Sequence, residues 1–171
     1  MRKTNLKSKT TLKATTKKRP KAKYSLLTDK ADKAFSKYIR LRDSEFDGSQ
    51  WTAICTTCPR RMVVLKEDGK WGKGIDNGHF ISRGLRELRY DEYNCNIQCS
   101  HCNNWRDKES MQEAYRKAIR DKYGSDILKE LKTRAKIIRS NTISELEIVI
   151  SDSKAQLDHC LENPDFYRKM L

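Results

Sequence analysis

The sequence has no run of about 18 apolar residues, so no segment is expected to cross a bilayer as a helix. Its start has no apolar core of the signal-peptide kind, and secretion is not expected. It also lacks the arginine-rich amphipathic repeat of a mitochondrial presequence. Acidic residues are missing altogether from residues 1–23. Histidine is scarce, with three in 171 residues. No internal repeat is visible. Without export, the six cysteines (Cys55, Cys58, Cys95, Cys99, Cys102 and Cys160) are not expected to form disulfides.

What the sequence has in excess is positive charge. The formal net charge is +14, of which ten units lie in residues 1–23, leaving +4 for residues 24–171. Charged residues make up 35% of the chain and the mean hydropathy is −0.90. These values suit one ordinary domain with a modest core and a basic tail. The tail is too polar to offset its own ordering entropy. A basic arm of this kind suits a polyanion, nucleic acid above all, and Lys17, Lys18 and Arg19 are its densest contact candidates.

Periodicity predicts a first helix from a Thr28 cap to about Arg42, with Ala31, Phe35, Tyr38 and Ile39 as its apolar stripe. "WTAIC" and "RMVVL" read as two strands joined through the knuckle "CTTCPR". "IDNGHF" and "ELRY" read as further short strands. A helix over 109–123 stops at Gly124. Ser125 caps another, to about Arg139. Thr142 and Glu145 form a capping box for a third, to about Glu162. Its apolar side reads first as packing within the domain and second as a dimer seam between Ile143 and Leu161.

Two Cys-x-x-Cys pairs in one chain point to metal. Cys55 and Cys58 sit on the knuckle, and Cys99 and Cys102 follow well downstream. Together they supply the four thiolates of a structural zinc site, which staples two segments of a small domain. Cys95 and His101 compete as ligands. The simpler readings are a buried thiol and an outward-facing ring. Cys160 reads as core and His159 as surface.

A closed four-cysteine site does no chemistry, so His79 in "DNGHFISRG" calls for a separate account. His79, a mid-loop Asn94 and Asn103 directly after the last zinc cysteine have the layout of an HNH, or ββα-metal, nuclease site. A neutral imidazole can take a proton from water attacking a phosphodiester. Asn103 offers an oxygen to a hard ion such as Mg²⁺ or Mn²⁺, which would neutralise the scissile phosphate. Asn94 can tie the loop and orient the histidine. Gly78 and Gly84 leave room for a phosphate, and Arg83 is the candidate to clamp it. Arg86 and Arg89 read as solvated charges. Trp71 and Trp105 read as core residues, with stacking on an opened base as the alternative.

The segments "AFSKYIRLRD", "CTTC" and "DNGHFISRGLRELRYDEYNCNIQCSHCNNWRDKES" resemble the NinG/Rap family of phage recombination proteins over about residues 28–125. The order of cysteines and histidine is also similar to the endonuclease VII type of junction resolvase. The resemblance implies an endonuclease acting on branched DNA such as Holliday junctions and D-loops, in the bacterial host cytoplasm. It implies His79 as general base, Asn103 as catalytic-metal ligand and the four cysteines as zinc ligands. One departure stands out. Many HNH sites place an aspartate directly before the base, and here that residue is Gly78. The nearest carboxylate is Asp76. Residues 76 and 79 of a strand face opposite sides, so Asp76 as a metal ligand would require a turn between them.

The expected fold is therefore α+β: a small zinc-stapled HNH-like core over 24–124, with an N-terminal helix, a disordered basic tail over 1–23 and a C-terminal helical segment over 125–171. Two rival functions are a non-enzymatic zinc-stapled DNA-binding protein and an HNH endonuclease acting on linear duplex. A homodimer is expected only because resolving a four-way junction needs two paired cuts.

Overall fold

The first helix begins earlier than Thr28 suggests. In the computed structural model, which describes residues 22–104 and 108–164, α1 runs from Lys23 to Arg42. Thr28 lies inside it and its hydroxyl donates to the Tyr24 carbonyl at 2.9 Å, a bond to the preceding turn in place of a cap. Ala31, Phe35, Tyr38 and Ile39 are buried, as their spacing requires. Lys17, Lys18, Arg19 and Trp105 lie outside the described residues.

Strands β1 (Glu45–Phe46), β2 (Trp51–Ile54) and β3 (Arg61–Leu65) form one antiparallel sheet, and the β2–β3 connection carries the first cysteine pair. Strands β4 (Ile75–His79) and β5 (Cys95–Cys99) form a second, in unbroken register from Ile75 opposite Cys99 to His79 opposite Cys95. "ELRY" is not a strand. Arg86–Leu88 is a 3-10 turn within the loop joining β4 to β5. Its apolar Leu88 is buried as an anchor for that loop, so no alternating face exists to pair.

Helix α2 (Ser100–Asn104) follows β5 directly, and α3 runs from Lys108 to Tyr123. Gly124 ends α3 at a φ of 88°, where glycine carries no Cβ penalty. Helix α4 spans Asp126–Arg134, shorter than the sequence suggests, and Ser125 makes no side-chain cap bond. Helix α5 spans Ile143–Glu162, and both bonds of the Thr142–Glu145 capping box are present.

Two cores result. The larger packs α1 and α5 against both sheets through Phe35, Ile39, Val64, Ile75, Ile97 and Cys160. Val149 and Leu157 of α5 pack against it, so much of that helix's apolar side is used inside the domain. The smaller core joins the β4–β5 loop to α3 and α4 through Phe80, Leu88, Tyr115, Ile119 and Leu131. Asp43, at the end of α1, binds the halves together. Its buried carboxylate pairs with Arg42 and Lys122 and accepts the Ile97 N–H at 2.9 Å.

Candidate active site and zinc cluster

The knuckle after β2 turns back on itself through a Cys55 N–H bond to the Arg60 carbonyl, and Thr56 ties it to Ile97 of β5. This brings Cys55 and Cys58 beside Cys99 and Cys102. The four sulfurs lie within 4.8 Å of one another. A tetrahedral zinc with bonds near 2.3 Å sets its sulfurs about 3.8 Å apart, and Cys58 and Cys99 are 3.9 Å apart. Backbone N–H groups already serve the sulfurs: Cys99 donates to Cys55 Sγ at 3.3 Å and Cys102 to Cys99 Sγ at 3.5 Å. The donor chemistry and spacing fit zinc. Cys95 stands apart from this cluster and is buried, and the His101 side chain is exposed.

His79 closes β4. Its Nε2 lies 3.0 Å from the Arg89 carbonyl. A carbonyl can only accept, so Nε2 carries the hydrogen and Nδ1 holds the lone pair. Burial holds His79 below its ordinary pKa of 6.5. The bond to Arg89 opposes the shift, and the charges of Arg83 and Arg89 add to it. The ring is therefore neutral near pH 7.

Asn94 is fully buried and fixes the loop that follows His79. Its Oδ1 accepts the Ile81 N–H at 2.8 Å, and its Nδ2 donates to the Ile81 and Leu88 carbonyls, both at 2.9 Å. Asp91 accepts the Asn94 N–H at 2.8 Å and is held in turn by Arg134 of α4 at 2.6 Å. Replacing Asn94 by alanine would leave the Ile81 N–H and two carbonyls without their partner. A loss of about 1–3 kcal/mol is expected, to be read from denaturant unfolding.

His79, Asp76 and Asn103 line one cleft of about 850 Å³ between α1, β4, α2 and α5. Asn103 donates to Asp76 at 3.1 Å. No turn separates Asp76 from His79, although the strand sends them to opposite faces. Among the described residues β4 pairs with β5 alone, and Asp76, Asn77 and His79 of β4 all line the cleft. Gly78 serves packing rather than phosphate. A Cβ there would lie 1.9 Å from Gln98 Oε1, so the place of an aspartate before His79 is filled by Gln98. Gly84 is exposed in the loop.

Seven Lys or Arg side chains and two aspartates line this cleft: Lys30, Lys33, Lys37 and Arg40 from α1, Arg83 and Arg89 from the loop, Lys154 from α5, with Asp32 and Asp76. A second cleft, of about 760 Å³, has five basic and five acidic side chains in its wall. Of these two clefts, the one that holds His79 carries the positive excess. The α1 lysines were missed in the sequence, though their spacing of three and four along one helix was a usable signal. Arg83 is exposed at the rim. Arg86 and Arg89 are not solvated charges: Arg86 bonds the Tyr24 hydroxyl at 2.7 Å, and Arg89 pairs with Asp32. Trp71 lies under Arg40 and Lys37, at 4.7 and 5.5 Å, and packs against the larger core.

The fold and these sites define an α+β protein with a four-cysteine cluster able to hold zinc and a basic cleft beside it. No helix among the described residues is long and apolar enough to cross a membrane. The chain belongs to the bacteriophage lambda NinG protein family, whose model matches residues 1–162. That family is associated with phage recombination. No curated protein and no solved structure matches the chain.

Proposed function

We propose that the chain is a metal-dependent endonuclease of HNH type that hydrolyses phosphodiesters in branched DNA during phage recombination, in the cytoplasm of the bacterial host. The observation that carries this reading is the single cleft that gathers a neutral histidine, a carboxylate, a carboxamide and a positive wall. A polyanionic backbone is drawn to such a wall. His79 Nδ1 takes a proton from the attacking water, because Nε2 is already committed to the Arg89 carbonyl. Asn94 keeps that carbonyl's loop in register with the strand. Arg83 at the rim clamps a phosphate.

Asp76 and Asn103 would hold Mg²⁺ or Mn²⁺, one carboxylate and one amide oxygen being a fitting donor set for a hard ion that also takes phosphate. Bound there, the ion supplies charge neutralisation at the scissile phosphate and the departing 3′ oxygen. Cutting both strands of a four-way junction calls for two such clefts, hence a homodimer.

The test is a labelled four-way junction beside a matched linear duplex, with Mg²⁺ or Mn²⁺. Faster cutting of the junction is expected. Equal rates would remove the branch preference and leave an endonuclease of linear duplex. Binding without cutting, in either metal, would reduce the protein to a zinc-stapled DNA-binding module. The positive wall has its own signature. Replacing Lys30, Lys33 and Lys37 together by alanine should make the log–log salt dependence of DNA binding shallower by about 1–3 units. An unchanged slope would mean that DNA does not touch α1.

A further inference from the structure

The bond that sets the tautomer of His79 ends on a main-chain oxygen in a loop, and loops alone hold such atoms poorly. What holds this one is visible across the cleft. The Arg89 carbonyl belongs to the peptide unit linking Arg89 to Tyr90, and both side chains of that unit reach the same group, the carboxylate of Asp32 on α1. Arg89 grips it two-handed, Nε to Oδ1 at 2.8 Å and Nη2 to Oδ2 at 2.5 Å. The Tyr90 hydroxyl donates to Oδ1 at 3.0 Å, and its ring packs edge-on against Phe35, one turn along α1. The Cys95 thiol, directly across the sheet from His79, also points at the Arg89 oxygen, at 3.7 Å.

We propose that Asp32 is a positioning residue for His79: it pins the Arg89–Tyr90 peptide at both ends to α1 and thereby fixes the carbonyl that receives the imidazole N–H. The inference rests on His79 being the general base only for its catalytic consequence. The geometric part stands without it. An Arg–carboxylate fork adds directional rigidity that a single contact lacks, and α1, a helix of 20 residues, is a rigid wall of the cleft. Asp32 touches neither the attacking water nor the phosphate in this role, and as one of two aspartates in a basic wall its removal should not weaken DNA binding.

The experiment uses the full zinc-loaded chain labelled with ¹⁵N-histidine. A hydrogen-bonded, slowly exchanging Nε2–H signal is expected from His79, identified by its disappearance in His79→Gln. In Asp32→Asn that signal should broaden or vanish, and single-turnover cutting of a four-way junction should fall roughly tenfold to a hundredfold, the scale of a misplacement near 1 Å. Junction affinity should not fall, because the substitution removes a negative charge from the cleft wall. Tyr90→Phe removes one of the two ties and should shift both readouts in the same direction by less, which guards against misfolding of the Asp32 variant. A His79 N–H signal that survives unchanged in both variants would overturn the proposal. A signal lost on Asp32 substitution in a protein that cuts no DNA would uphold the clamp and overturn the assignment of His79 as a base.

Discussion

Stripping the metal from the four-cysteine cluster should unfold the half of the domain that holds the cleft. The cluster joins the β2–β3 knuckle to the start of α2, and β5 and α2 carry or adjoin Asn94, Cys95 and Asn103. Structural zinc contributes on the order of 10–16 kcal/mol in small zinc domains, as much as the whole stability of an ordinary domain at about 5–15 kcal/mol. The core here cannot absorb that loss, because Cys55, Cys99 and Cys102 are themselves part of it. Four bare thiols would leave polar atoms and a gap where the ion had been. Zinc analysis should find one ion per chain. Chelation, or Cys58→Ser, should abolish the cooperative thermal transition and with it any DNA cutting. A chelated protein with an unchanged melting curve would show that the cluster is not structural.

The second large effect is on chemistry. His79→Ala should lower cutting by about a hundred- to ten-thousandfold, the usual contribution of a positioned general base, with zinc content and DNA binding retained. The pH dependence follows from the environment of the ring. Burial keeps its pKa below 6.5 in the folded protein, so the base is already neutral at pH 7 and the acid limb of the rate profile should lie below pH 6.5. The same shift has a stability consequence. Below pH 6.5 the unfolded chain takes up the proton that the folded chain resists, so the unfolded state binds more protons and stability falls as the pH falls. His79→Ala should flatten that part of the stability curve.

Most, but not all, of the local signals stand in the structure, and the meeting of the two cysteine pairs is the long-range feature that the sequence makes legible. The Cys-x-x-Cys pairs, the β2–β3 hairpin, the Gly124 stop and the Thr142–Glu145 box each depend on residues a few positions apart, and each stands in the structure. Thr28 misled because its hydroxyl is satisfied by the preceding turn inside a helix as well as by a cap. "ELRY" misled because Leu88 is buried as a loop anchor and not as one face of a strand. The spacing between Asp76 and His79 suggests a turn because residues three apart on a strand face opposite sides. In the structure both nonetheless line one cleft, with no turn between them. Arg89 could not be told from a solvated charge without Asp32, which lies 57 residues away. His79 and Asn103 are legible from their spacing around the cysteine pair, and Asp76 as the carboxylate nearest His79. That they share a cleft depends on α1 and α5 closing over β4, which no local pattern encodes.

The most direct measurement is single-turnover cleavage of a labelled four-way junction in Mg²⁺ or Mn²⁺ by the wild-type chain and His79→Ala, both verified to hold equal zinc. Cutting by the wild-type chain, lost by at least about a hundredfold in the variant at equal junction affinity, is the expected result. Equal cutting by the two proteins, or binding without cutting by the wild-type chain, would contradict the assignment of this cleft as a hydrolytic site.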